Sequence, residues 1–111
     1  MSTTQPNLAS ELASIAAGAQ SLDELLQHRT RLGACALLAT ADALTFSKLR
    51  DLLGETDGNL GANLRKLEDA KYVSVEKRFV DRKPQSTYTL TPAGRSRLAS
   101  HVAALQALLG G

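Results

Sequence analysis

Apolar residues recur at helical spacing along most of the chain and switch to strand spacing once, between Tyr72 and Leu90. Leu8, Leu12, Ile15 and Ala16 mark one face of a first helix. Ser21 followed by Glu24 has the spacing of a capping box and opens a second apolar segment through Leu22, Leu25 and Leu26. From about Thr30 to Ala41 nearly every residue after Arg31 is small or apolar, the composition of a helix at the centre of a core. Asp42 to Leu44 reads as a short connection. Phe46, Leu49, Leu52 and Leu53 then form a short helix that Thr45 can cap and Gly54 can end. Glu55 to Gly58 is a turn with Thr56 or Asp57 as the next cap, and Leu60, Leu64 and Leu67 mark a helix ending near Lys71. Val73 and Val75 alternate with Ser74 and Glu76, and Thr87 to Leu90 has high β preference. Asp81 to Gln85, charged and containing Pro84, is the expected hairpin tip. Thr91 and Pro92 suit the cap and first turn of a last helix carrying Leu98, Val102, Leu105 and Leu109.

The order predicts a mainly α fold with a small β-hairpin: helices, a tight glycine-containing turn between two short helices, a hairpin and a closing helix. The two short helices make a helix-turn-helix. With 111 residues, the chain has the size of one domain and buries enough surface to fold without a metal or disulfide. Residues 1–20 read as an N-terminal helical extension, 21–90 as the winged helix-turn-helix unit, and 91–111 as a C-terminal dimerisation helix. The lone Cys35 fits a reducing compartment. Met1 to Asn7 lacks the pattern of a secretory signal, and no apolar run approaches the roughly 20 residues that span a bilayer. The expectation is a soluble cytoplasmic protein.

Net charge is only +2, so its distribution carries the information. Met1 to Leu44 holds two basic and four acidic residues, whereas Lys71 to Lys83 holds five basic and two acidic. A local basic stretch meets phosphates even on a nearly neutral protein. At about 100° per residue, burying Leu60, Leu64 and Leu67 turns Gly58, Asn59, Ala62, Arg65 and Lys66 outward, with Gly61 and Asn63 on the flanks. A helix presented in this way fits the major groove of double-stranded DNA. Asn59 and Asn63 suit adenine edges, while Arg65 and Lys66 suit guanine edges or phosphates. Lys77, Arg78, Arg82 and Lys83 project from the hairpin toward phosphates or a narrow minor groove. Lys48, Thr56 and Ala62 complete the expected DNA-contact set.

Four segments resemble a known family: LTFSKLRDLLGETDGNLGANLRKLEDAKYV, VEKRFVDRKPQSTYTL, LTPAGR and the Arg31-Leu32 start of the core helix. They are similar to the winged helix-turn-helix transcriptional regulators of the MarR and ArsR type, in their compact winged-helix DNA-binding subgroup. The resemblance spans about Ser21 to Ala99. It implies a homodimer, DNA-binding residues between Thr56 and Lys71, and a wing tip near Arg82 and Lys83. Two departures stand out. Gly61 and Ala62 occupy positions where such proteins usually carry a hydroxyl and larger polar groups. Lys71 stands where they usually have glycine, and a left-handed backbone there costs a residue with a Cβ roughly 1 kcal/mol.

Alternatives stay open at several of these residues. Arg65 can instead pair with Glu68 or Asp69 as a solvated helix residue, and Lys77 and Arg78 can serve only to blunt a strand edge. Leu98, Val102, Leu105 and Leu109, spaced four, three and four, can pack on their own core or form a helix–helix seam between two copies. The seam is the favoured reading, with the first helix available to complete it. A winged helix that binds protein rather than DNA is the rival function, and Gly61 and Ala62 leave room for it. Cys35 reads as a small buried hydrophobe. His28 and His101 have no Cys or His neighbours at metal-ligand spacing, so no metal or other cofactor is expected. Neither a nucleophile elbow nor a phosphate-cradling glycine loop is present in the sequence, which argues against an enzyme. A dimer interface between helices has room for a small-molecule effector, but no polar cluster points to one.

Overall fold

Polar side chains set where the helices of the protein begin. In the computed structural model, which describes residues 7–110, each of five α-helices opens on a side chain accepting from the backbone two or three residues on. Asn7 caps α1 (Leu8–Gln20), His28 caps α2 (Arg29–Ala41), Thr45 caps α3 (Phe46–Leu53), Thr56 caps α4 (Asp57–Asp69) and Thr91 caps α5 (Pro92–Leu108). These bonds satisfy amides that have no partner within the helix. Gly54 ends α3 in the left-handed conformation at φ 65°, as the glycine signal implied. Residues 1–6 of the expected N-terminal extension lie outside the described residues.

The Ser21 capping box does not form. The Ser21 N–H still donates to Ala17 O at 3.0 Å, so Ser21 closes α1 instead of opening a new helix. Asp23 takes over, accepting from the Leu25 N–H at 2.9 Å, and only one 3₁₀ turn follows, Glu24–Leu26. Its Leu26 is fully buried.

Asp42 to Leu44 is also more than a connection. Ala43–Thr45 forms strand β1, which pairs antiparallel with β3 (Lys83–Leu90), with Leu44 opposite Tyr88. β2 (Val73–Val80) pairs with the other edge of β3, giving a three-stranded sheet in the order β1-β3-β2. The hairpin is thus longer and its turn tighter than expected. Val80 pairs with Lys83, which leaves only Asp81 and Arg82 to turn the chain, at φ 52° and 67°. Positive φ at both central residues matches the right-handed twist of the flanking strands. Pro84 is in β3, beyond the stretch that β1 covers, where a residue without an N–H is tolerated.

α2 is the hub of the core. Ala34, Cys35 and Leu38 from α2 meet Leu49 of α3, Leu60, Leu64 and Leu67 of α4, and Tyr72, Val73, Tyr88 and Leu90 around the sheet. Burial pushes the Cys35 thiol up to about 11, keeping it a neutral hydrophobe at physiological pH. α4 closes through Lys71, at φ 69°, with the Tyr72 N–H donating to Leu67 O at 2.9 Å. The expected glycine-like backbone is therefore present at a lysine.

α1 lies against α5 and runs antiparallel to it, forming an arm. The approach depends on small residues: a Cβ at Gly18 would lie 2.8 Å from the Ala107 Cβ and 3.0 Å from Ala104 O. His101 anchors the arm to the rest of the fold. It is buried, and its Nδ1 accepts from the Asp23 N–H at 2.9 Å. Tyr72 donates its hydroxyl to Asp23 Oδ2 at 2.5 Å; burial foremost, then this bond, pushes the phenol up to about 12.

Candidate nucleic-acid interface

α3, the turn Gly54–Thr56 and α4 form the helix-turn-helix, and the apolar period of α4 fixes which side of it meets solvent. Leu60, Leu64 and Leu67 are buried. At about 100° per residue, Gly58, Ala62, Arg65 and Asp69 form the opposite stripe, with Lys66 beside it, and the structure leaves all five exposed. No segment of the described protomer covers this stripe.

Asn63 is a correction. It was expected on a flank, reaching adenine edges, but it is only 5% exposed. Its Oδ1 accepts from Arg31 Nη1 at 2.6 Å, and its Nδ2 donates to Asn59 O at 2.8 Å. Arg31 also donates from Nε to Leu25 O at 2.6 Å. Asn63 therefore locks the rotation of α4 against α2 and the 3₁₀ turn, and it is not free to read a base. Arg31 was missed as a positioning residue; the only signal was a guanidinium on an otherwise apolar helix.

Asn59 is exposed, and its Nδ2 donates to Glu55 Oε1 at 2.5 Å. The Thr30 hydroxyl, and then Asn59, hold the Glu55 carboxyl below its ordinary range. Thr56 spends its hydroxyl oxygen on the cap, accepting from the Asn59 N–H at 3.1 Å. Lys48 is exposed in the first turn of α3.

The sheet places the wing beside this surface. Arg65 and Glu68 of α4 lie close enough to Tyr88 of β3 to act on its phenol, although burial is the largest cause of its raised pKa. Phe46 and Ser47 at the start of α3 share one hollow with Lys83 and Ser86 of the wing. Lys77, Arg78, Arg82 and Lys83 are all exposed. Arg78 pairs with Glu76 at 2.8 Å; among the described residues Lys77, Arg82 and Lys83 form no ion pair.

The arm divides the four expected seam residues. Leu98 packs against the protomer's own core and so leaves the seam set. Val102, Leu105 and Leu109 are 40%, 37% and 87% exposed, and Leu8 and Leu12 of α1 are exposed too. Among the described residues no three His, Cys, Asp or Glu side chains are grouped so as to hold a metal ion. No helix there is long and apolar enough to cross a membrane.

A helix-turn-helix core with an antiparallel hairpin at its side is a winged helix-turn-helix. The profile of the winged helix DNA-binding domain family matches residues 30–109, and the chain belongs to that family. Among solved structures, a transcriptional regulator homologue from Pyrococcus horikoshii is similar at 27% identity and TM-score 0.74, with 90% of this chain and 94% of that one covered. AbsC, a MarR family transcriptional regulator from Streptomyces coelicolor, is similar at 19% identity and TM-score 0.60, covering 89% and 73%. MepR from S. aureus, solved as a DNA complex, is similar at 19% identity and TM-score 0.65, covering 89% and 79%. At that identity the last two speak for the fold. Comparison with curated protein sequences gives no significant match.

Proposed function

We propose that the chain regulates transcription as a homodimer, with α4 in the major groove of duplex DNA and the wing on the flanking backbone or minor groove. One observation carries this reading: among the described residues the outward stripe of α4 is uncovered, and beside it stands a hairpin whose Lys77, Arg82 and Lys83 form no ion pair there. Arg65 and Lys66 reach base edges or phosphates from the helix; Lys48, Lys77, Arg82 and Lys83 supply sequence-independent affinity through phosphates. The winged-helix regulators it resembles, one of them solved on DNA, support the assignment.

The dimer seam is built from Val102 and Leu105 of α5, Leu109 at its C-terminal cap, and Leu8 and Leu12 of α1, apolar side chains that one protomer leaves in water. Two-fold symmetry then sets the two copies of α4 into successive major grooves roughly 34 Å apart, on an imperfect palindrome. Fluorescence anisotropy on duplex DNA tests the first part. Replacing Arg82 and Lys83 together with alanine weakens binding to every sequence and flattens the salt dependence by about two counterions. Unchanged binding removes the wing from the interface. Light scattering tests the second part, and a monomer at micromolar concentration refutes the seam.

A further inference from the structure

The wing carries a side chain that neither folding nor phosphate binding explains. Phe79, near the outer end of β2, is 75% exposed. Its cross-strand partner is Pro84, so a phenyl and a pyrrolidine ring stand side by side. By strand alternation they continue the face that carries Val73, Val75, Tyr88 and Leu90, but beyond the point where that face is buried. Cations outnumber acids around the pair: Lys77 lies two residues away on the same face, Arg78 is its neighbour, Arg82 shares the two-residue turn with Asp81, and Lys83 opens β3. The tip is also strained in a telling way. A turn with both central residues at positive φ favours glycine at the second, yet Arg82 holds that place at φ 67°.

The recognition helix makes this apolar pair more significant. Its outward stripe offers Gly58 and Ala62, and Asn63 is turned inward. Few groups on α4 can read bases by hydrogen bonding, so discrimination needs a second source. Apolar wedges set among cations read DNA by its deformability, because unstacking a step costs least at pyrimidine–purine steps. The cations fit the charge of the phosphate walls, and this fit selects duplex DNA over an apolar partner.

We infer that Phe79, backed by Pro84, is a specificity-determining wedge that enters the minor groove beside the α4 site and partly unstacks one flexible base step. This deepens the DNA-binding reading and rests on it. The test uses the full chain and 30-bp duplexes selected from a randomised pool, with 2-aminopurine placed in turn at each flanking position. The wild-type chain should enrich a pyrimidine–purine step in the flank and raise 2-aminopurine fluorescence there. Phe79→Ala, which removes an exposed ring and keeps the wild-type circular dichroism, should lose both signals. It should bind the selected duplex roughly tenfold more weakly and match the wild type on duplexes lacking the step. If Phe79→Ala selects the same step with the same fluorescence, the wedge is overturned and DNA binding stands. If the wild-type chain enriches no duplex, the DNA-binding reading fails, and the wedge with it.

Discussion

Gly58 begins the outward stripe of α4, and its replacement by alanine should move stability and DNA affinity in opposite directions. A Cβ built there meets no atom within 4 Å, so the protomer gives no steric reason for glycine. Gly58 is the second residue of α4 and has no positive φ. Alanine therefore adds helix propensity and restricts the unfolded chain, together worth about 0.5–1 kcal/mol. For a domain of this size that raises Tm by roughly 2–6 °C. In the groove the same methyl group stands between the helix backbone and the base edges. Forcing such a group into a close-packed contact costs about 1–3 kcal/mol, or roughly 5- to 150-fold in Kd. Gly61→Ala is the internal control. Its Cβ faces Phe46 at 4.0 Å, on the flank of the helix, so it should stabilise similarly with a smaller loss of binding. Thermal melts followed by circular dichroism and anisotropy on one duplex give both numbers. A Gly58→Ala chain that is more stable and binds as tightly as the wild type would refute close approach of this backbone to DNA.

Three further outcomes follow from the packing. Arg31→Met strands the buried Asn63 Oδ1, at a cost of about 1–3 kcal/mol; a double-mutant cycle with Asn63→Ala in urea should return a coupling of about 0.5–3 kcal/mol, and additivity would break the assigned link. Gly94→Ala drives a Cβ to 2.1 Å from the Tyr72 carbonyl oxygen, which is backbone and cannot swing aside; urea unfolding should show a loss of about 3 kcal/mol or more, and a loss below about 1 kcal/mol would mean that α5 sits farther from the sheet. The Cys35 thiol, near 8.5 in an unfolded chain, is held at about 11 by burial. The unfolded chain therefore gives up its proton first, so stability is flat below about pH 8.5 and falls toward pH 11. The wild-type urea midpoint should drop more between pH 7.5 and 10 than that of Cys35→Ala, and equal drops would contradict the burial.

What the sequence made legible is what is encoded locally. Thr45, Thr56 and Thr91 each sit directly before an apolar period, and each caps the helix that follows. Leu60, Leu64 and Leu67 fix the buried side of α4 by their spacing alone. The misreadings share a different cause. β1 has three residues, too few for alternation to show, and exists because β3 offers a free edge to pair with. Asn63 sits on the border between the buried and exposed sides of α4, and the group that draws it inward is 32 residues away, on Arg31. Spacing along one helix cannot register a partner on another. Leu98 and Leu109 share the period of the last helix, yet one packs on the core and the other lies in water.

Several of the polar bonds between elements meet at one short segment, the 3₁₀ turn and the residue before it. Asp23 receives Tyr72 from the root of the wing and gives its N–H to His101 of α5. Leu25 accepts from Arg31, which reaches on to Asn63 of α4. Apolar packing alone holds elements together with little directional preference, because burial is rewarded at many angles. Hydrogen bonds between buried groups are directional and costly to leave unmade, so this cluster fixes the angle between the α1–α5 arm and the α4–wing surface. A monomeric binder gains little from fixing that angle. A two-fold dimer joined through its arms depends on it, because small rotations at the turn become ångströms of error in the separation of the two recognition helices. The polar groups spent on Asp23, Arg31, Asn63 and His101 thus fit the proposed dimer on a palindrome better than they fit a single winged helix acting alone.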